Sequence, residues 1–222
     1  MRADGECPPA QPVGPDQDGE ANSARLRRID PEKLIEEAEA LYERVPREYD
    51  VPESFLLELR ESAKRDLFEL QHLSVGRIAP ELAGKDLDGK PMKLSDYRGK
   101  VVLLSFWGTW CAPCMALVPK ERSLVERLEG KPFVLLGING DEDREQAKKA
   151  AERERMTWRS WWDGSPPGPI AEAWNVKGWP TLYLLDREGI IRFKCVDYDE
   201  KGLMETLGLI LGESVGERRE VE

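Results

Sequence analysis

Uninterrupted hydrophobic runs mark two segments of the chain as buried β-strands. The runs are VVLLSFW at 101–107 and FVLLGIN at 133–139. Continuous apolar runs of this length are typical of strands that are covered on both faces of a sheet. A more polar segment follows each run and predicts a helix, at 112–128 and at 143–154. This alternation of strand and helix predicts an α/β domain with a mixed central sheet flanked by helices.

Shorter patterns complete this domain on both sides. PELAGKDLDGKPMKL predicts two short strands that turn at Asp88-Gly89. TWRSWWDG predicts a strand or an extended piece, and 169–175 predicts a short helix. TLYLLD and IIRFKCV predict two strands joined by the turn at 187–189, and a last helix is expected over about 200–211. We place the domain at 75–212 and a flexible C-terminus at 213–222.

A different pattern precedes the domain. Residues 1–29 are rich in Pro, Gly, Asp and Gln, which predicts a disordered tail. Residues 30–73 predict two amphipathic helices with apolar stripes that run from Leu34 to Val45 and from Phe55 to Leu70. Two such helices cannot bury their stripes alone, so they are expected to form a hairpin, dock on the domain or belong to a helical repeat array. A docked helical extension is the interpretation that we favour.

Composition and charge narrow the classes of function. The chain has 222 residues and a formal net charge of −10, so it lacks the basic balance that nucleic-acid binding needs. The longest apolar runs fall well short of the ~20 residues of a membrane span. The first 20 residues contain no hydrophobic stretch of the kind that a signal peptide needs. As it stands, the sequence predicts a cytoplasmic protein, or a periplasmic one if an export segment has been removed.

The chemistry of the domain centres on Cys111 and Cys114, which follow the first buried strand. The predicted helix begins at these cysteines, and a thiolate at a helix N-terminus is stabilised by unpaired N–H groups and the helix dipole. Cys111 is therefore the expected nucleophile, because such a site lowers the pKa of a cysteine. Cys114 lies one turn further on and can close a disulfide. Pro113 suits the first turn, where a missing N–H costs little.

Two structural alternatives are weaker. A zinc site normally needs four ligands, and the remaining candidates Cys7, Cys195 and His72 are isolated along the chain. A static CxxC disulfide is a poor staple because it is strained and exposed. We expect no metal and no cofactor. Cys195 shares a strand face with Ile191 and Phe193, which favours a buried, inert thiol.

The motif WGTWCAPC at 107–114, Pro119 after it and GWPTLYLLD at 178–186 follow one another along the chain. Together with the hairpin before them, they give the chain a resemblance to the thioredoxin superfamily, in the redoxin branch that holds the AhpC/TSA peroxiredoxins and the TlpA/ResA-like thiol–disulfide oxidoreductases. WGTWCAPC is similar to the active-site loop, and Pro119 to the proline that kinks the active-site helix. GWPTLYLLD resembles the cis-proline loop, which implies a cis bond between Trp179 and Pro180. The segment PELAGKDLDGKPMKLSDYRGKVVLLSFW at 80–107 resembles the N-terminal hairpin of the redoxin branch. The resemblance covers about 75–211 and implies a thioredoxin-like fold.

The same resemblance implies a function and a set of binding residues. The chain is expected to cycle Cys111 and Cys114 between dithiol and disulfide with protein partners, and to draw on an electron-donor thiol system. The Trp179 backbone would pair with an extended substrate segment, as in β-augmentation. Trp110, Pro113 and Pro180 complete the expected substrate-binding wall.

The proton acceptor for Cys114 is not evident. Relatives that the chain resembles place a carboxylate six residues before the first cysteine or three residues after the second, which are Ser105 and Leu117 here. One hypothesis is that Ser105 orders a water that carries the proton. The alternative is that Ser105 only fills a strand position and bulk solvent accepts the proton.

Two other functions stay open at this stage. A peroxiredoxin-like antioxidant peroxidase is suggested by the redoxin-type hairpin, although Gly108 stands where that family has a threonine and Thr109 is one residue too close. The other is a partner-docking protein whose redox site regulates attachment. Trp158, Trp161 and Trp162 form a cluster that we interpret mainly as core packing, with a substrate platform as the alternative.

Overall fold

The computed structural model describes residues 52–212 and, before them, positions 33, 37, 40, 41 and 44, all of which are helical. The predicted tail, most of the first predicted helix, Cys7 and the predicted flexible C-terminus lie outside the described residues. The chain divides into two compact units between Gln71 and His72. The domain boundaries given above stay predictions.

The regular elements follow the chain in the predicted order. Between α1 and β1 a π-helical turn covers Glu69–Leu73, and after β2 a 3-10 turn covers Leu94–Tyr97. The elements are α1 (Glu53–Phe68), β1 (Ala83–Lys85), β2 (Pro91–Lys93), β3 (Val101–Trp107), α2 (Ala112–Arg127), β4 (Phe133–Asn139), α3 (Arg144–Arg153), β5 (Ser160–Trp162), α4 (Pro169–Ala173), β6 (Thr181–Leu185), β7 (Ile191–Val196) and α5 (Glu200–Leu211).

Helix α1 belongs to the first unit and is amphipathic without being buried. None of its 16 residues falls in the buried class. Leu56, Leu59 and Leu67 of the predicted stripe are half-buried, whereas Phe55 is exposed. An ion pair between Lys64 and Glu61, with 2.9 Å between Nζ and Oε1, lies on the polar side. The pattern therefore predicted the helix correctly.

The second unit is built on a five-stranded sheet in the order β5-β4-β3-β6-β7. Strands β3, β4 and β5 are parallel, and β6 and β7 are each antiparallel to the strand before them in that order. All 7 residues of β3 and all 5 of β6 are buried, which explains their continuous apolar runs. The mixed sheet confirms the predicted α/β class.

Two apolar layers cover the faces of this sheet. One layer joins the β1–β2 hairpin and α4 to the sheet through residues such as Met92 and Ala171. The other joins α2 and α5 to the opposite face through Leu117, Leu124 and Leu203. Helix α2 is thereby held against β3, and its N-terminus is fixed beyond the last residue of that strand.

Strand β3 presents alternate residues to the two layers. Val102, Leu104 and Phe106 belong to the layer of the hairpin, and Val101 and Leu103 belong to the layer of α2. Because side chains alternate along a strand, Ser105 and Trp107 also face α2. Trp107 packs there with Cys111 and Cys114. The strand therefore delivers a serine and a tryptophan to the face on which the cysteines lie.

The three clustered tryptophans have different environments. Trp161 is 0% exposed and lies in the layer of the β1–β2 hairpin, as the core interpretation predicted. Trp158 and Trp162 are half-buried. The Trp162 indole donates a hydrogen bond to the Asp141 carbonyl oxygen, with 2.8 Å between Nε1 and O. Trp162 thus supports the loop after β4 that contains Asp141. This loop lies beside the loop that leads from β3 to the cysteines.

Candidate active site

Cys111 and Cys114 lie where the chain passes from β3 into α2, and they form a disulfide. Their Cα atoms are 5.3 Å apart. Cys111 is the N-cap residue of α2, and its Sγ accepts a hydrogen bond from the Cys114 N–H, with 3.2 Å between N and Sγ. Pro113 lies in the first turn and is exposed. Cys111 therefore occupies the position at which a helix N-terminus stabilises a thiolate.

Both cysteines are largely covered. Cys111 is 5% exposed and Cys114 is 2% exposed, so the two cysteines are buried to a similar degree. The Cys114 Sγ lies 3.9 Å from the Phe106 carbonyl oxygen on β3. Pro119 lies inside α2 on its exposed side. Both cysteines of the disulfide are therefore nearly inaccessible to solvent.

A buried carboxylate holds the loop that precedes the cysteines. Asp141, which is 3% exposed, accepts hydrogen bonds from the Thr109 backbone N–H at 3.1 Å and from the Thr109 hydroxyl at 2.6 Å. It also accepts one from the Asn139 side chain at 2.6 Å. A Cβ at Gly108 would lie 2.6 Å from the Trp110 Nε1, so this close approach requires glycine. The Thr109 hydroxyl is thus engaged by Asp141, and the loop is fixed.

An aromatic wall borders the disulfide. Trp110 is 49% exposed, and its ring meets that of Trp179 edge to face, with 5.2 Å between centroids. Trp179 also packs against Phe106 and against the cysteine cluster. The bond from Trp179 to Pro180 is cis, and Pro180 is buried. Of the residues predicted to bind substrate, Trp179 therefore contacts the cysteine cluster, and Trp110 contacts Trp179.

Glu121 of α2 is a carboxylate near this region that was not among the residues predicted from the sequence. Glu121 is only 4% exposed, and its Oε1 has no hydrogen-bond partner among the described residues. Burial raises the pKa of Glu121 to about 7, and a hydrogen bond with the Ser105 side chain opposes that rise. A signal was present, since Glu121 interrupts the apolar stripe that Leu117 and Leu124 place on the sheet side of α2.

The remaining candidate residues lie apart from the disulfide. The Cys195 thiol is buried in the layer of α2 and donates to the Asp197 carbonyl oxygen, with 3.0 Å between Sγ and O. The structure confirms the predicted burial of this thiol. Across the described part of the chain, no three His, Cys, Asp or Glu side chains gather in a way that would hold a metal ion.

Solved structures with the same architecture define the class of protein. A candidate thiol:disulfide interchange protein DsbE from Chlorobium tepidum is 29% identical, with a TM-score of 0.58, and the match covers 63% of this chain and 99% of that one. A secreted thiol-disulfide isomerase from Corynebacterium glutamicum is 26% identical, with a TM-score of 0.54, over 60% of this chain and 85% of that one. This sheet, with a CxxC pair at the start of α2, makes the chain a thioredoxin-like thiol–disulfide oxidoreductase.

Sequence comparison identifies the family. The sequence model of the AhpC/TSA family matches residues 75–194, and the chain belongs to this family. The thiol-disulfide oxidoreductase ResA of Geobacillus kaustophilus is 36% identical over 120 residues, which are 54% of this chain and 68% of the relative. These findings confirm the predicted resemblance to the redoxin branch and the predicted enzyme class.

Proposed function

We propose that Cys111 is the nucleophile and Cys114 the resolving cysteine of a disulfide-exchange cycle with protein substrates. The observation that carries this assignment is the position of Cys111 as the N-cap of α2, with the Cys114 N–H directed at its sulfur. A thiolate held in this way is both a competent attacking group and a good leaving group. Cys114, 2% exposed and one turn into the helix, is placed for the second, internal step.

The exchange cycle can run in either direction, as reduction or as oxidation of the substrate. In the reduced protein, the Cys111 thiolate attacks a substrate disulfide, which forms a mixed disulfide and releases one substrate thiolate. Cys114 then loses its proton and attacks the Cys111 sulfur, which closes the Cys111–Cys114 bond and releases the second thiolate. Two electrons pass to the substrate. In the opposite direction, an external thiolate attacks Cys111 and Cys114 leaves.

Continued turnover needs a second thiol couple, and we propose an electron-donor thiol system for this role. The substrate and this donor would meet the same sulfur, that of Cys111 at the N-cap of α2. No helix in the described part of the chain is long and apolar enough to cross a membrane. The cytoplasmic location predicted from the sequence gains no support from the comparisons. We propose an extracytoplasmic location from the likeness to the secreted isomerase.

The exposed aromatic wall is the proposed docking surface for the substrate segment next to its disulfide. Trp110 offers half of its surface to solvent beside Trp179. An open groove of about 800 Å³ continues from it. The groove carries acidic and basic side chains, which suits a polar peptide segment. Its lining includes Trp110, Glu142, Asp143, Gln146, Lys149 and Arg153.

Replacing Trp110 with alanine should weaken substrate docking more than the chemical step. We expect KM for a protein disulfide to rise about 10-fold with little change in kcat, because a half-exposed aromatic contact is lost. Steady-state kinetics of the reduction of a model protein disulfide by the reduced protein would measure both constants. Trp110→Phe keeps a ring and should retain most of the affinity. Equal losses of kcat and kcat/KM would place Trp110 in the chemical step instead.

The choice between exchange and peroxidase chemistry can be tested with one preparation. The reduced protein should reduce a model protein disulfide and leave hydrogen peroxide unconsumed at comparable concentrations. Thiol titration and a peroxide assay on the same sample would measure the two activities. Rapid peroxide consumption without exchange would contradict the proposed function and favour the antioxidant alternative.

A further inference from the structure

Glu121 lies on the same face of α2 as Cys114. The two residues are seven positions apart, which is almost two full helical turns. Side chains of a helix lean toward its N-terminus, so the Glu121 carboxyl extends back toward Cys114. The side chain has the length to reach β3, where Ser105 lies near enough to lower the pKa of the Glu121 carboxyl. Glu121 therefore reaches the strand position at which the relatives that the chain resembles carry a carboxylate of their own.

Ser105 connects this carboxyl to the region of Cys114. Ser105 is 2% exposed and lies on the face of β3 that meets α2. The next residue, Phe106, supplies the carbonyl oxygen that lies 3.9 Å from the Cys114 Sγ. Trp107, on the same face as Ser105, packs on both cysteines. Ser105 therefore faces α2 and directly precedes the residue whose carbonyl oxygen the Cys114 sulfur approaches.

The surroundings of Glu121 leave it able to exchange a proton. The Tyr198 phenol, which follows β7, is near enough to feel the Glu121 charge, and Tyr198 in turn is close to Cys195 and Arg127. Neighbouring Lys120 points outward to Glu200, with 2.8 Å between Nζ and Oε2. Burial raises the pKa of Glu121 and Ser105 lowers it, which leaves that pKa at about 7. Both protonation states are therefore populated near neutral pH.

Retention of a carboxylate here costs stability. Its Oε1 is buried without a partner among the described residues, and a buried charge without a cation is unfavourable. The surrounding layer consists of leucines and other apolar residues, which an aliphatic side chain would join more easily. A role in the exchange cycle accounts for a group that packing alone disfavours.

We propose that Glu121 accepts the proton of Cys114 through the Ser105 hydroxyl. This proposal rests on the proposed roles of Cys111 and Cys114. During resolution, the Cys114 proton passes to Ser105 while the Ser105 hydroxyl proton passes to the Glu121 carboxylate. The Cys114 thiolate then forms the bond to Cys111, and the substrate sulfur leaves with the electron pair. In the opposite direction, the Glu121 carboxylic acid returns the proton to the departing Cys114 thiolate by the same route.

Stopped-flow reaction with 5,5′-dithiobis(2-nitrobenzoate) separates the two steps in one trace. The reduced protein, in a Cys7→Ser background, should release one coloured thiolate when Cys111 attacks and a second when Cys114 resolves the mixed disulfide. We expect the rate of the second phase in the parent to rise with pH around 7. In Glu121→Gln the second phase should be at least ~10-fold slower at pH 7, and its inflection should move toward the ordinary thiol pKa of ~8.5. The first phase should be unchanged.

Two further variants distinguish proton transfer from packing. Glu121→Leu fills the site without a carboxyl and should show the same slow second phase. Adding Ser105→Asp to Glu121→Gln restores a carboxylate beside the sulfur and should recover the rate near pH 7. An unaltered second-phase pH profile in Glu121→Gln and Glu121→Leu would overturn the relay. Loss of the first phase in the parent would instead overturn the proposed roles of the cysteines, so the two failures are distinguishable.

Discussion

Replacing Cys111 with serine is expected to reduce thiol–disulfide exchange by more than about 10³-fold, since an alcohol at neutral pH is not ionised and cannot attack a disulfide. The helix N-terminus that stabilises a thiolate at this position cannot compensate, because the hydroxyl keeps its proton. Reduction of a model protein disulfide by the purified variant, with the parent protein beside it, measures the effect. The variant should fold normally, since serine can also cap α2.

Cys114→Ser is the matched control for this result. Cys111 can still attack, but no second thiol closes the cycle, so the mixed disulfide with the substrate should accumulate. Mass spectrometry of the quenched reaction would detect that adduct. Cys195→Ser, which alters a thiol in the layer of α2, should leave exchange intact. Substantial exchange by Cys111→Ser, or an adduct on Cys114 in the parent, would reverse the assigned roles.

Glu121→Gln is expected to stabilise the oxidised protein at pH 8 by about 3 kcal/mol relative to the parent, and to have little effect of this kind at pH 4. Burial raises the pKa of Glu121 from 4.5 to about 7 in the folded protein. The folded state therefore holds this proton more tightly than the unfolded state does. The stability contributed by the protonated group is complete below pH 4.5 and is lost as pH rises through about 7. A glutamine has no proton to lose, so it avoids this loss.

Urea unfolding of the oxidised proteins at several pH values would measure the difference in the free energy of unfolding. Glu126→Gln changes an exposed glutamate of the same helix and should show no comparable gain with pH. If the free energies of unfolding of Glu121→Gln and the parent differ by the same amount from pH 4 to pH 8, the expected titration of Glu121 is contradicted. Because the variant should be the more stable protein, slower resolution in it would not result from unfolding.

The secondary structure was accessible from the sequence because its signals are local. The run at 101–107 and the run at 133–139 coincide with β3 and β4 residue for residue, and the helix expected at about 200–211 coincides with α5. For TWRSWWDG the sequence predicted a strand or an extended piece, and only Ser160–Trp162 of that segment pairs with the sheet, as β5. Its pairing depends on the neighbouring strand β4, which a local pattern does not reveal.

Some features of the candidate site were also predictable from a short segment, and others depend on contacts between distant segments. Cys111, Cys114 and Pro113 lie in one turn, and their spacing, the predicted helix start and the family resemblance together indicated a redox pair. The hydrogen bonds between Thr109 and Asp141 that fix the loop before the cysteines could not be predicted from spacing, because the two residues are 32 positions apart in sequence. The approach of Trp110 to Trp179 likewise depends on how two distant loops meet.

The sequence by itself determined the α/β class, the order of the elements and the reactive cysteine pair, because hydrophobic periodicity and the helix-start position of the cysteines are properties of short segments. Only the tertiary structure decided which group can take the Cys114 proton. Glu121 lies 16 residues from Ser105, and the two meet only because α2 packs across β3 and removes both side chains from water. That burial raises the pKa of the Glu121 carboxyl into the neutral range, which no arrangement of residues along the chain could show.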